Sequence, residues 1–158
     1  MSLDAGKLLV RTTMAVSLIA INTHVFSFNA QANDSEDSCA GMIEAVASRM
    51  SYGRNLTIDY SRRDVTRMYD DAPSGRPIEQ VLLMQGSSTD AILNSPAFMQ
   101  TRARTIMESC KNVGAVTFAL KGSSYGITFG LMPNETVKKF SCTESTPVAW
   151  GQVLCGGW

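Results

Sequence analysis

Large and small side chains alternate from Val113 to Met132 on both sides of a Gly-Ser-Ser-Tyr break, the most regular pattern in the chain. Val116, Phe118 and Leu120 fall on one side of a strand, with Ala115, Thr117 and Ala119 on the other. Ile127, Phe129 and Leu131 repeat this opposite Thr128 and Gly130, so an antiparallel hairpin is predicted with its bulky face toward helices. A phosphate-cradling loop should lead into a helix N-terminus, and this loop leads into another strand. Val137 to Cys142 reads as a further strand that completes a meander after the turn at Pro133-Asn134-Glu135-Thr136.

Two segments carry helical spacing instead. Cys39, Met42, Ile43, Val46 and Met50 recur every three or four residues, with the acidic Asn33–Asp37 stretch as a tail before them and Gly53 as a stop. Met99, Ala103, Ile106 and Cys110 form a second stripe, with Arg102, Thr105 and Glu108 facing water. Ser95-Pro96 marks its start, since serine caps free amides and proline suits the first helical position. Ile78 to Gln85 has the length and continuity of a strand buried on both faces, and Asp90 to Leu93 reads as a short helical turn. Leu56, Ile58 and Tyr60 alternate like a brief strand. The following Arg62, Arg63 and Arg67, interleaved with Asp64, Asp70 and Asp71, read as a solvated loop or helix face rather than an anion site.

These elements give an α+β domain: an antiparallel sheet of about four strands with two main helices on one face. The N-terminal residues change the picture. Lys7 and Arg11 precede an apolar core at Thr12–Ile21, and Ala30-Gln31-Ala32 has the small-x-small form that signal peptidase cleaves. Residues 1–32 are expected to be an export signal and 33–158 a single domain. Asn22, Thr23 and His24 break the apolar run before it reaches the ~20 residues of a membrane span. With Lys7, Arg11 and Asp4 removed, 12 basic and 13 acidic side chains remain, a formal charge of −1. That balance argues against a nucleic-acid partner.

Cys39, Cys110, Cys142 and Cys155 all lie beyond the signal, and an even count in an exported chain points to two disulfides in a periplasmic or secreted protein. Spacing does not choose among three pairings. Cys142 with Cys155 closes a short loop, and Cys39 with Cys110 joins the two apolar stripes, so this connectivity is preferred.

His24 is the one histidine and lies in the signal. Histidine-dependent triads, zinc sites and haem ligation are thereby excluded from the exported part, and cysteines held in disulfides offer no thiolate. Carboxylate or serine-lysine chemistry remains. Asp70-Asp71 read as solvated turn residues, Lys121 beside Ser123 and Ser124 as a wet hairpin tip, and Asp34, Glu36 and Asp37 lack the register of a calcium loop. Asn33, Asn55 and Asn134 stand in N-x-S/T sequons, and Trp150 and Trp158 read as core rather than a sugar platform. No catalytic, cofactor or metal residues are expected.

The order ILNSP, helix, SCKNVGAVTF, YGITFGLM, VKKFSC, WGQVLC, between Val81 and Cys155, resembles a group of small exported cyanobacterial proteins of unassigned activity. The resemblance implies a bacterial periplasmic or extracellular address, with idle sequons, and brings no catalytic residues. The leading expectation is a non-enzymatic module that binds a protein or small molecule. Two alternatives remain. One is a carboxylate-based glycan hydrolase, which needs two acids facing across a pocket. The other is a disulfide-stapled protease inhibitor presenting Ser87–Thr89 or Gly122–Tyr125.

Overall fold

The structure is a computed structural model that describes residues 31–156, with side chains from residue 37 onward. The expected export signal, with His24, lies outside the described residues apart from Gln31 and Ala32, as does Trp158. Helix α1, Gln31–Ser51, is followed by strand β1, Thr57–Asp64, and strand β2, Ile78–Gln85. A short helix α2, Thr89–Leu93, and the longer α3, Pro96–Ser109, lead to β3, Val113–Leu120, and β4, Gly126–Leu131. Three short strands follow: β5, Val137–Lys139, β6, Ser141–Thr143, and β7, Gln152–Leu154.

The α+β expectation holds with disulfides, but the sheet has five strands in the order β1-β2-β3-β4-β5 and is mixed. The departure from an antiparallel sheet lies at β2 and β3, which pair in parallel. Its cause is the helical connection: a strand that returns through α2 and α3 crosses the sheet and re-enters in the same direction. β1 pairs antiparallel with β2 from Thr57 opposite Gln85 to Asp64 opposite Ile78. The strand expected at Leu56–Tyr60 runs on to Asp64 and takes in Arg62 and Arg63 on a sheet edge, where exposed charges are tolerated because one side faces water, while Arg67, Asp70 and Asp71 lie in the turns that follow. The strand expected over Val137–Cys142 breaks at Phe140. β5 stays in the main sheet, while β6 pairs in parallel with β7 to form a separate two-stranded strap.

Both helical stripes meet one face of the sheet. Cys39, Ile43, Val46 and Met50 from α1 join Met99, Ala103, Ile106 and Met107 from α3 over Leu82, Met84, Val116, Phe118 and Phe129. Gly53, at φ +67°, ends α1 in the left-handed region that glycine enters without strain. α1 starts at Gln31, so the Asn33–Asp37 stretch, expected as a tail leading into the helix entry, lies within the helix. Ser95 departs from the capping expectation. Its Oγ donates to the Ala91 carbonyl at 2.8 Å, because α2 ends immediately upstream and its last carbonyls compete for the hydroxyl. Arg102, expected in water, is half-buried with its guanidinium 4.8 Å from the Phe98 ring centroid.

The opposite face carries a smaller cluster of Val65, Tyr69 and Phe140, joined by Val148, Trp150 and Val153. Phe140 crosses directly over Gly130, where a Cβ would lie 2.1 Å from the ring. The ring cannot retreat, since Trp150 stands 5.1 Å and Tyr69 6.0 Å away, centroid to centroid. Gly130→Ala should therefore destabilise the protein by about 3 kcal/mol through overpacking. A urea titration followed by near-ultraviolet circular dichroism checks this, and an unchanged midpoint contradicts it.

Candidate functional site

The small face of the hairpin becomes a floor. Registers place Ala115 opposite Gly130, Thr117 opposite Thr128 and Ala119 opposite Gly126, while Glu79 lies beside Ala115 and opposite Arg63. With so little side-chain volume there, a covering segment can stand off the sheet and leave space. The cover is residues 65–77 on one side and the C-terminal strap on the other.

Five contacts fix the strap. Cys142 is bonded to Cys155, and the Cys155 amide donates to the Thr143 carbonyl at 2.9 Å. The Tyr69 hydroxyl donates to the Gln152 carbonyl at 2.8 Å. The Trp150 amide donates to Asp71 Oδ1 at 2.8 Å, and its indole N–H to the Leu131 carbonyl at 2.9 Å. Between strap and floor lies a cavity of about 560 Å³, within the size range of small-molecule sites. Met68, Tyr69, Val148, Val153 and Leu154 wall it, and Arg63, Glu79 and Thr128 supply its polar base. Met68 and Leu154 are each about half exposed, so apolar surface is left uncovered at the rim.

The polar base is a connected chain across four strands. Arg63 Nε and Nη2 both donate to Glu79 Oε2, at 3.0 and 2.7 Å. Thr117 Oγ1 donates to Glu79 Oε1, and the Thr117 and Thr128 hydroxyls are 2.6 Å apart. Glu79 is 3% exposed, and a carboxylate so buried persists because a cation and a hydroxyl satisfy it. Burial in the strap cluster, with the nearby Glu79 charge, pushes the Tyr69 phenol up from 10.0 to about 12. At the other end of this segment, hydrogen bonds from the Thr66 hydroxyl and amide hold the exposed Asp64 carboxyl below its usual value.

The Tyr69 shift has a defined sign. The folded state favours the neutral phenol, so its contribution is complete below pH 10 and is lost as pH rises from 10 toward 12. Tyr69→Phe should flatten the alkaline loss of stability in that window relative to the parent. Urea titrations at several pH values measure it, and parallel curves for the two proteins would contradict the assignment.

The structure pairs Cys39 with Cys110, both buried, and Cys142 with Cys155, both exposed, as the stripe and short-loop arguments preferred. It gathers none of the weighed catalytic groups. Asp70 and Asp71 are exposed, and Asp71 is taken up anchoring Trp150. Lys121 Nζ donates to Asp59 at 2.5 Å, and Ser123 Oγ donates to the Leu120 carbonyl at 3.2 Å, so no serine-lysine dyad forms. Among the described residues, Glu79 is the one carboxylate lining the cavity. Gly122–Tyr125 is exposed, whereas Thr89 in the other proposed loop is buried. Among the described residues, no three His, Cys, Asp or Glu side chains converge as a metal site, and no helix is long and apolar enough to cross a membrane.

Glu79, Thr117 and Thr128 were not singled out in sequence. The available signal was the acid near the head of a strand read as buried on both faces and the threonine at the centre of each small face. Trp150 packs against Tyr69 and Phe140, as the core reading expects. The chain matches no protein-family model, no curated protein and no solved structure.

Proposed function

We propose that the protein is an exported, non-enzymatic binding module of the periplasm or extracellular space, and that it holds a small amphipathic molecule beneath its C-terminal strap. The observation that carries this reading is the cavity itself: apolar walls closing on a hydrogen-bonded polar base, the composition typical of ligand sites. Two disulfides support an oxidising compartment. The alternative of a glycan hydrolase requires two carboxylates across a cavity, and among the described residues Glu79 alone lines this one.

Native mass spectrometry of protein purified from its own host tests the proposal. The expected species starts at Asn33, takes up no alkyl group without reductant and carries an additional non-covalent mass. Val153→Asp places a charge in the cavity wall and should remove that mass while both disulfides remain. An added mass retained by Val153→Asp places the binding elsewhere, and protein bearing no added mass at all argues against a binding module.

A further inference from the structure

The direction of the protons along the polar base says what the cavity asks of a ligand. Glu79, ion-paired with Arg63 at 2.7 Å, is an acceptor, so the single hydroxyl proton of Thr117 goes to Oε1. Thr117 then has nothing left to donate to Thr128, and the 2.6 Å contact between them must use the Thr128 proton. What Thr128 retains is acceptor lone pairs, and Thr128 lines the cavity. Tyr69, in the cavity wall, is in the same condition, because its proton is given to the Gln152 carbonyl. Toward the cavity, Thr128 and Tyr69 thus offer acceptors, while the donors of the base belong to Arg63, whose Nε and Nη2 are given to Glu79 and whose charge that carboxylate offsets. A ligand carboxylate would set acceptor against acceptor at Thr128 and would be desolvated without a counter-ion of its own, since the Arg63 charge is already paired with Glu79. A ligand cation would need to displace Arg63 from Glu79 or be desolvated without its own counter-ion.

We infer that the cavity takes an uncharged amphiphile: an aliphatic body along Val148, Val153 and Leu154, carrying a hydroxyl or amide N–H that donates to Thr128. This rests on the cavity being the binding site and adds the chemical class. A neutral donor gains a hydrogen bond to Thr128 that an acceptor-only isomer cannot make there, worth about tenfold in affinity.

Isothermal titration of the full exported chain with 1-decanol, its isomer methyl nonyl ether, and decanoate tests the class. 1-Decanol should bind about tenfold tighter than the ether and tighter again than decanoate. Thr128→Val should bring decanol and ether to equal affinity, while Thr128→Ser, which keeps the acceptor, should preserve the preference and control for damage to the fold. The inference is overturned if the ether or decanoate binds as tightly as decanol, or if Thr128→Val keeps the tenfold gap. Absence of binding by all three also overturns this ligand class. The binding reading fails separately, on the missing host-derived mass.

Discussion

Arg63→Met should lower stability by about 3 kcal/mol, the scale set by leaving a buried carboxylate without its cation. Glu79 is almost fully buried, whereas the Arg63 side chain is about one-third exposed, so methionine can replace the aliphatic stem but not the charge. Restoring apolar balance should reverse most of the loss. Arg63→Met combined with Glu79→Met removes both charges, and replacement of a whole buried pair is commonly near neutral. Urea titrations of the two single variants and the double variant give the coupling directly. A double variant as unstable as the sum of the singles would mean that the pair is not a unit. The same cycle bears on binding, because the orientation of Thr117 and Thr128 depends on Glu79 remaining a charged acceptor.

Removing the Cys39–Cys110 bridge should cost about 4 kcal/mol in the loop-entropy account, against about 3 kcal/mol for Cys142–Cys155. The difference follows from sequence separations of 71 and 13 residues. The consequences should also differ in kind. The first bridge ties α1 to the C-terminus of α3 inside the main core, so its loss weakens the whole fold. The second joins β6 to the residue just after β7, and its loss should free the strap from the cavity while the five-stranded sheet survives. Because Cys142 and Cys155 are exposed and the other pair is buried, graded reduction should open the strap bridge first. Alkylation with mass mapping after increasing dithiothreitol reads the order. Equal rates of opening would show that burial does not protect the core bridge.

Local patterns carried much of the fold. The start of α3, the bounds of β2 and the two faces of the hairpin were legible because signals within each segment determine them. What was not legible depends on partners. Arg63 looks as solvated as Arg62 and Asp64 beside it until β1 is laid along β2, and then the sixteen-residue separation between Arg63 and Glu79 becomes a direct cross-strand contact, while its two neighbours stay exposed. The parallel step between β2 and β3 is a consequence of the path through α2 and α3, which periodicity does not encode. Phe140 interrupts the expected third meander strand because its ring is drawn onto Gly130 and Trp150, a contact made only when the strap has folded back.

The candidate site shows the same division. Thr117, Thr128 and the small residues around them were visible as the minor face of an alternating hairpin. That this face would form the base of a cavity required knowing what covers it, and the cover comes from residues 65–77 and the last 17 described residues, 140–156. Absence of histidine narrowed the available chemistry without pointing to a location. The location came from three-dimensional pairing of one acid, one arginine and two threonines.

The most direct test of the account is an experimental structure of the protein purified from its own host without added ligand. Ordered non-protein density between Thr128 and Val153, with the Arg63–Glu79–Thr117 chain intact behind it, is the predicted result. A bound molecule on another surface, with the strap collapsed onto the sheet, would contradict it.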